Sequence, residues 1–298
     1  MIQYDPHNWS EHLLDVRGSM IREILGRVSM CVVWSAVITV TYEQVPALRP
    51  YLAMSETAHT LVGVALGLLL VFRTNASYDR FWEGRKLWGG IVNETRNLMR
   101  QASVWLPTDP HRVERINYWA MAWPFSSMDL LRGTPRTGRL RTRLGAEDFE
   151  TVARENHVPL AIARRITGEI LVAHQQKQIN DLQLTALDHN VQLLIDYLGG
   201  CERIRSTPLP FAYTVHLRRA LFMYCFTLPF ALVHKFDWGA IPATFLLAYT
   251  LFGIEEIGVE IEDPFGIDDN DLPLEAICEK IAENLQSIPL ESSPVTRS

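Results

Sequence analysis

The chain lacks most of the features by which soluble enzymes and secreted domains are recognised. Its four cysteines, Cys31, Cys201, Cys225 and Cys278, form no CxxC unit, so spacing gives no disulfide framework and no zinc site. There is no HExxH, no GxSxG elbow and no Walker loop, and His157, His174, His189 and His216 stand at no metal-ligand spacing. The chain is therefore read as a non-enzyme. The start is polar, with Asp5, Glu11 and Asp15 where a cleaved leader would carry a basic then apolar segment. Met1-Ile2 begins no myristoylation signal, and no prenylation box stands at the other end. Alternation of period two is scarce, which argues for helices over strands. No internal repeat occurs, and no nucleic-acid partner is expected.

What the 298 residues do contain is moderately apolar: 48% hydrophobic, 21% charged, net charge −6. Any bilayer portion must share the chain with a large polar portion. Four apolar stretches stand out, at about 28–42, 61–72, 220–233 and 238–254. Each is shorter than the roughly 20 residues that a membrane-crossing helix needs, so singly each also fits a buried helix of a soluble protein. They come as two pairs. Pro46 and Pro50 lie in the first connection, and residues 234–237 make the second.

Charge assigns the sides. Arg17, Arg22 and Arg27 precede the first stretch; Arg73, Arg80, Arg85 and Lys86 follow the second; Arg203, Arg205, Arg218 and Arg219 precede the third. The returns carry only Arg49 and Lys235. By the positive-inside rule the termini and the middle region face the cytoplasm. Tyr51 and Trp238 suit the outer interface, and Trp34 lies deeper as packing.

The expected fold is thus an all-α membrane protein with four transmembrane helices in two hairpins and a large helical cytosolic region. Its expected divisions are a cytosolic segment 1–27, a hairpin 28–73, a cytosolic helical region 74–211, a second hairpin 212–257 and a cytosolic segment 258–298. That last segment ends in a disordered Ser- and Pro-rich tail from about residue 287. Helical periodicity is visible over 113–128 and 173–199, and 133–145, with Arg136, Arg139, Arg141 and Arg143, reads as an exposed basic loop.

The most informative run is 71–89, Val-Phe-Arg-Thr-Asn-Ala-Ser-Tyr-Asp-Arg-Phe-Trp-Glu-Gly-Arg-Lys-Leu-Trp-Gly. It resembles the signature that follows the second transmembrane helix of bacterial bestrophins. Residues 263–271, Asp-Pro-Phe-Gly-Ile-Asp-Asp-Asn-Asp, resemble a stretch after the last transmembrane helix of animal bestrophins. The resemblance implies a homopentamer in the plasma (inner) membrane, in contact with lipid, with one central pore for monovalent ions. Animal members pass chloride under calcium control, and bacterial relatives include cation channels. Selectivity stays open at this point.

The resemblance also implies site residues. Val64, Leu68 and Phe72 recur every four positions and match the family's hydrophobic neck, where apolar rings gate by dewetting. On spacing alone, packing against lipid or core is the better explanation; the resemblance tips the reading to the neck. Leu182 matches the cytosolic aperture, with Ile179 the competing choice. Asp268 and Asp271 match a calcium clasp, but Asp263, Ile267 and Asn270 depart from its pattern. We read the segment as a capped turn with no cofactor, calcium being the one candidate. Gly63 and Gly67 make a GxxxG pair for close helix approach. Arg73, Asp79, Arg80, Glu83, Arg85 and Lys86 read as ion pairs joining protomers, the alternative being that some of them face the vestibule and set ion preference. A secondary transporter or a non-catalytic membrane scaffold is the alternative function. No inverted repeat supports the transporter.

Overall fold

The computed structural model describes residues 20–134 and 138–288. Those residues are helical, with no strand among them. In chain order the helices are α1 (Ile21–Gln44), α2 (Arg49–Leu52), α3 (Glu56–Trp105), α4 (Pro110–Arg132), α5 (Gly138–Arg143), α6 (Ala146–Ala153), α7 (Val158–Gln175), α8 (Asp181–Ser206), α9 (Phe211–Phe236), α10 (Ala240–Glu260) and α11 (Leu274–Gln286). Residues 1–19, Arg136 and the tail beyond Ile288 lie outside the described residues.

The apolar helices run longer than the apolar stretches alone. Three helical stretches, Ile21–Gln44, Glu56–Trp105 and Phe211–Glu260, are long and apolar enough to cross a membrane. The third is divided by a 3-10 turn at Asp237–Gly239, where Asp237 adopts φ 46°. Arg73 does not end the second, because α3 runs unbroken from Glu56 to Trp105, 50 residues in all.

The chain forms two compact units. The first comprises residues up to Phe81, 208–263 and 268–270. Here α1, the first half of α3, α9 and α10 share a core of Ile24, Val28, Leu66, Leu70, Leu217, Leu221, Ala248 and Phe252, with Cys31 and Cys225 inside it. A smaller cluster of Ile38, Val233 and Ala240 lies toward the turns, covered by Trp34. Trp34 stacks on Phe226 at 4.6 Å and donates its indole N–H to the Phe226 carbonyl at 3.0 Å. Its indole N–H is thereby satisfied away from water.

The second unit comprises 82–207, 264–267 and 271 onward. Helix α4 is its centre. Ile116, Trp119, Trp123 and Phe125 are fully buried on it, and α4 packs against α5, α7, α8 and α11. Asp109 caps α4, accepting from the Arg112 backbone N–H at 3.0 Å. A further hydrogen bond from Gln178 and the nearby Arg112 guanidinium hold its carboxyl below the usual carboxylate range. Burial pushes the Cys201 thiol up to about 12 and raises Cys278 as well.

Two expectations are corrected here. The helix expected over 173–199 is two helices. Backbone turns at Gln176–Asn180, with Lys177 at φ 60°, and Asn180 starts α8 with a capping box to Gln183. The Asn-x-x-Gln spacing is a readable start signal, overridden in the sequence reading by continuous apolar periodicity. The basic segment 133–145 is also more than an exposed loop. Leu140 and Leu144, four residues apart, are buried and anchor α5, while Arg143 pairs with Glu279 and lies over the Phe125 ring at 4.7 Å.

The two signature segments meet within the second unit. Phe265 is fully buried against Gly84, where a Cβ would lie 3.0 Å from both Phe265 Cζ and Pro264 Cγ. The run 71–89 needs its glycine because the Pro-Phe of 263–271 fills that space. Gly84→Val should destabilise the detergent-solubilised protein by about 1–3 kcal/mol, as overpacking does. In a double-mutant cycle with Phe265→Ala that cost should shrink, read from denaturation midpoints. An additive cycle would disprove the contact.

Candidate functional site: the seam of helix α3

Helix α3 carries two opposite lines of side chains, each advancing by alternating steps of three and four residues. The buried line runs Leu66, Leu70, Arg73 and Ser77, then Gly84, Trp88 and Ile91. The other line runs Leu61, Ala65, Leu68, Phe72, Asn75 and Asp79, and every member is exposed. Its apolar part is not marginal: Leu61, Leu68 and Phe72 are 68%, 56% and 64% exposed.

The buried line includes a charge, and α1, α9 and α10 explain why. Arg73 and Glu255 are each 1% exposed and are joined at 3.1 Å from Nη1 to Oε1. The Glu255 carboxylate also accepts from Arg218 at 2.9 Å and from Arg27 at 3.3 Å. Arg27 pairs with Glu256 as well, and Arg73 Nη2 lies 3.6 Å from Glu262. Three guanidiniums and three carboxylates thus compensate one another. The expectation that Arg73 joins protomers is corrected: it is sealed inside its own subunit. Arg80 donates its Nε–H to the Glu262 carbonyl at 3.0 Å, and Glu83 pairs with Lys86 at 3.4 Å on the surface.

The expected neck residues all lie on the open side of α3. Val64 is 61% exposed and stands on the flank of the line through Leu68 and Phe72. Periodicity of four misses Leu61 and Ala65, which lie closer to that line; steps alternating three and four find them. Leu182, in the first turn of α8, is 81% exposed, whereas Ile179 is 4% exposed. Of the two aperture candidates, one side chain is thus open and the other is inside. The GxxxG pair does not act as a unit inside the subunit. A Cβ at Gly63 would lie 2.6 Å from the Tyr224 hydroxyl, so its neighbour is a side chain, while Gly67 faces open space.

The two calcium candidates differ in exposure. Asp268 is exposed and Asp271 is 3% exposed. Among the described residues no group of three or more His, Cys, Asp or Glu is placed to hold a metal ion.

The other apolar helices are equally bare. Leu25, Val33 and Val37 on α1, Phe222 and Met223 on α9, and Phe245 and Leu246 on α10 are large and open. Apolar surface of this extent is stable only against lipid or other protein. The class is therefore a helical integral membrane protein. The chain belongs to the bacterial/fungal bestrophin family, whose family model matches residues 1–287. It is 39% identical to a voltage-dependent anion channel-forming protein of Nostoc sp., over 98% of this chain and 94% of that one. Its identity to the voltage-dependent anion channel-forming protein YneE of Escherichia coli is 32%, over 96% and 93%. Among solved structures it resembles a bacterial bestrophin homologue from Klebsiella pneumoniae, at 33% identity and TM-score 0.84, over 88% of this chain and 97% of that one.

Glu255→Ala would leave Arg73 charged and buried without its main partner. A loss of about 3–5 kcal/mol is expected for such a broken pair, measured by unfolding in detergent. A loss no larger than that of Lys86→Ala would show that the pair is dispensable.

Proposed function

We propose that this protein is a passive ion channel: a homopentamer in the plasma membrane, with four membrane-spanning helices per subunit and both termini cytoplasmic, that passes monovalent ions along a central axis. The observation that carries this reading is the open line of α3, apolar from Leu61 to Phe72, on a helix whose other face is packed in its own subunit. Identical subunits arranged around an axis give that line a partner: its own copies. The family, and the channel-forming names of the relatives, support the same reading.

In this reading Val64, Leu68 and Phe72 form stacked apolar rings. A narrow apolar passage holds water poorly, so conduction stops when the rings close and resumes when they widen. Leu182 forms a second constriction at the cytosolic aperture. No bond is made or broken, and conduction requires neither a cofactor nor calcium. The carboxylates Asp268 and Asp271 serve the turn that seats Phe265.

Purified protein in a planar bilayer should give discrete single-channel steps. Flux that saturates and requires a second solute would favour a transporter instead. Leu68→Ala should raise open probability several-fold, and unchanged gating would remove Leu68 from the neck. Isothermal titration with calcium should show no micromolar site. Micromolar binding abolished by Asp268→Ala would reverse the assignment of those carboxylates.

A further inference from the structure

The open line of α3 changes character below Phe72. Asn75 and Asp79 continue it, both exposed, and Asp79 lies only about 20° around the helix from Phe72, given about 100° per residue. Along the axis it is about 10 Å past Phe72. It is the first charge on this line.

The neighbouring charges are engaged except Arg85, which is exposed but lies about 120° around the helix from Asp79, off the open line. Arg73 is buried on Glu255, Arg80 gives its Nε–H to the Glu262 carbonyl, and Glu83 and Lys86 neutralise each other. Among the described residues Asp79 has no ion pair or hydrogen bond, though three arginines and a lysine lie within seven residues of it in sequence. The next exposed charge without a partner among the described residues, Arg85, is about 13 residues or roughly 20 Å past Phe72 on the helical rise. That is more than two screening lengths at physiological salt, whereas Asp79 is about one screening length from Phe72 and on the open line itself.

We propose that Asp79 sets the ion preference of the channel, forming a ring of carboxylates just inside the apolar neck that concentrates cations and repels anions. The inference rests on the channel reading above, and it names the residue that decides charge selectivity. A fivefold ring adds five like fields on the axis, so a carboxylate worth little singly at this distance becomes decisive collectively.

The test is the reversal potential in asymmetric potassium chloride for wild type, Asp79→Asn, Asp79→Glu and Asp79→Lys, with oligomer size checked for each. Wild type should favour cations. Asp79→Asn should lower the cation-to-anion permeability ratio roughly three- to fivefold, Asp79→Glu should keep it, and Asp79→Lys should invert it. Conducting variants with the wild-type ratio would overturn the inference and leave the channel standing. So would loss of the oligomer in Asp79→Asn with an unchanged ratio in Asp79→Lys, which would make Asp79 a contact between subunits. Absence of any wild-type current would remove the channel reading and this inference together.

Discussion

The membrane-embedded unit depends on one carboxylate. Glu255 of α10 collects the guanidiniums of Arg27, Arg73 and Arg218 from α1, α3 and α9. Apolar contacts alone would let four greasy helices slide or rotate, because lipid solvates their surfaces as well as a neighbour does. A buried ion pair tolerates no such freedom: each partner left alone is far more costly than the pair. The pair therefore fixes the rotation of α3, and that rotation decides which of its residues are left open.

Once α3 is held in this way, its sequence divides into two functions. The line that contains Arg73 belongs to the subunit core. The opposite line must be supplied with a partner from outside. Its composition, apolar through Phe72 and polar from Asn75, suits a passage that is first dry and then wet. The same helix thus specifies packing on one edge and, in the proposed channel, conduction on the other.

Much of this was legible from residues alone. The apolar stretches, their pairing and the two signature runs led to a helical membrane fold in this family. That Leu68 and Phe72 share one face of α3 could be read from spacing, since a helix repeats its face every three to four residues. Other features were hidden for definite reasons. Apolar periodicity continues through 173–199, so the turn at Gln176–Asn180 showed only in its capping residues. A run of alternating charges says nothing of which member is buried; that Arg73 is inside and Asp79 outside depends on Glu255, 182 residues later in sequence for Arg73. The need for Gly84 was invisible without Phe265, because each glycine in a motif looks alike until its neighbour is known.

All four native thiols are buried: Cys31 and Cys225 inside the apolar core, Cys201 and Cys278 in the second unit. Sulfhydryl reagents attack the exposed thiolate, so the unaltered chain is a quiet background for chemical labelling. A single cysteine introduced anywhere along the open edge of α3 would be the one handle a probe could find. Native cysteines need not be removed first, and accessibility along that edge can be mapped position by position in the otherwise natural sequence.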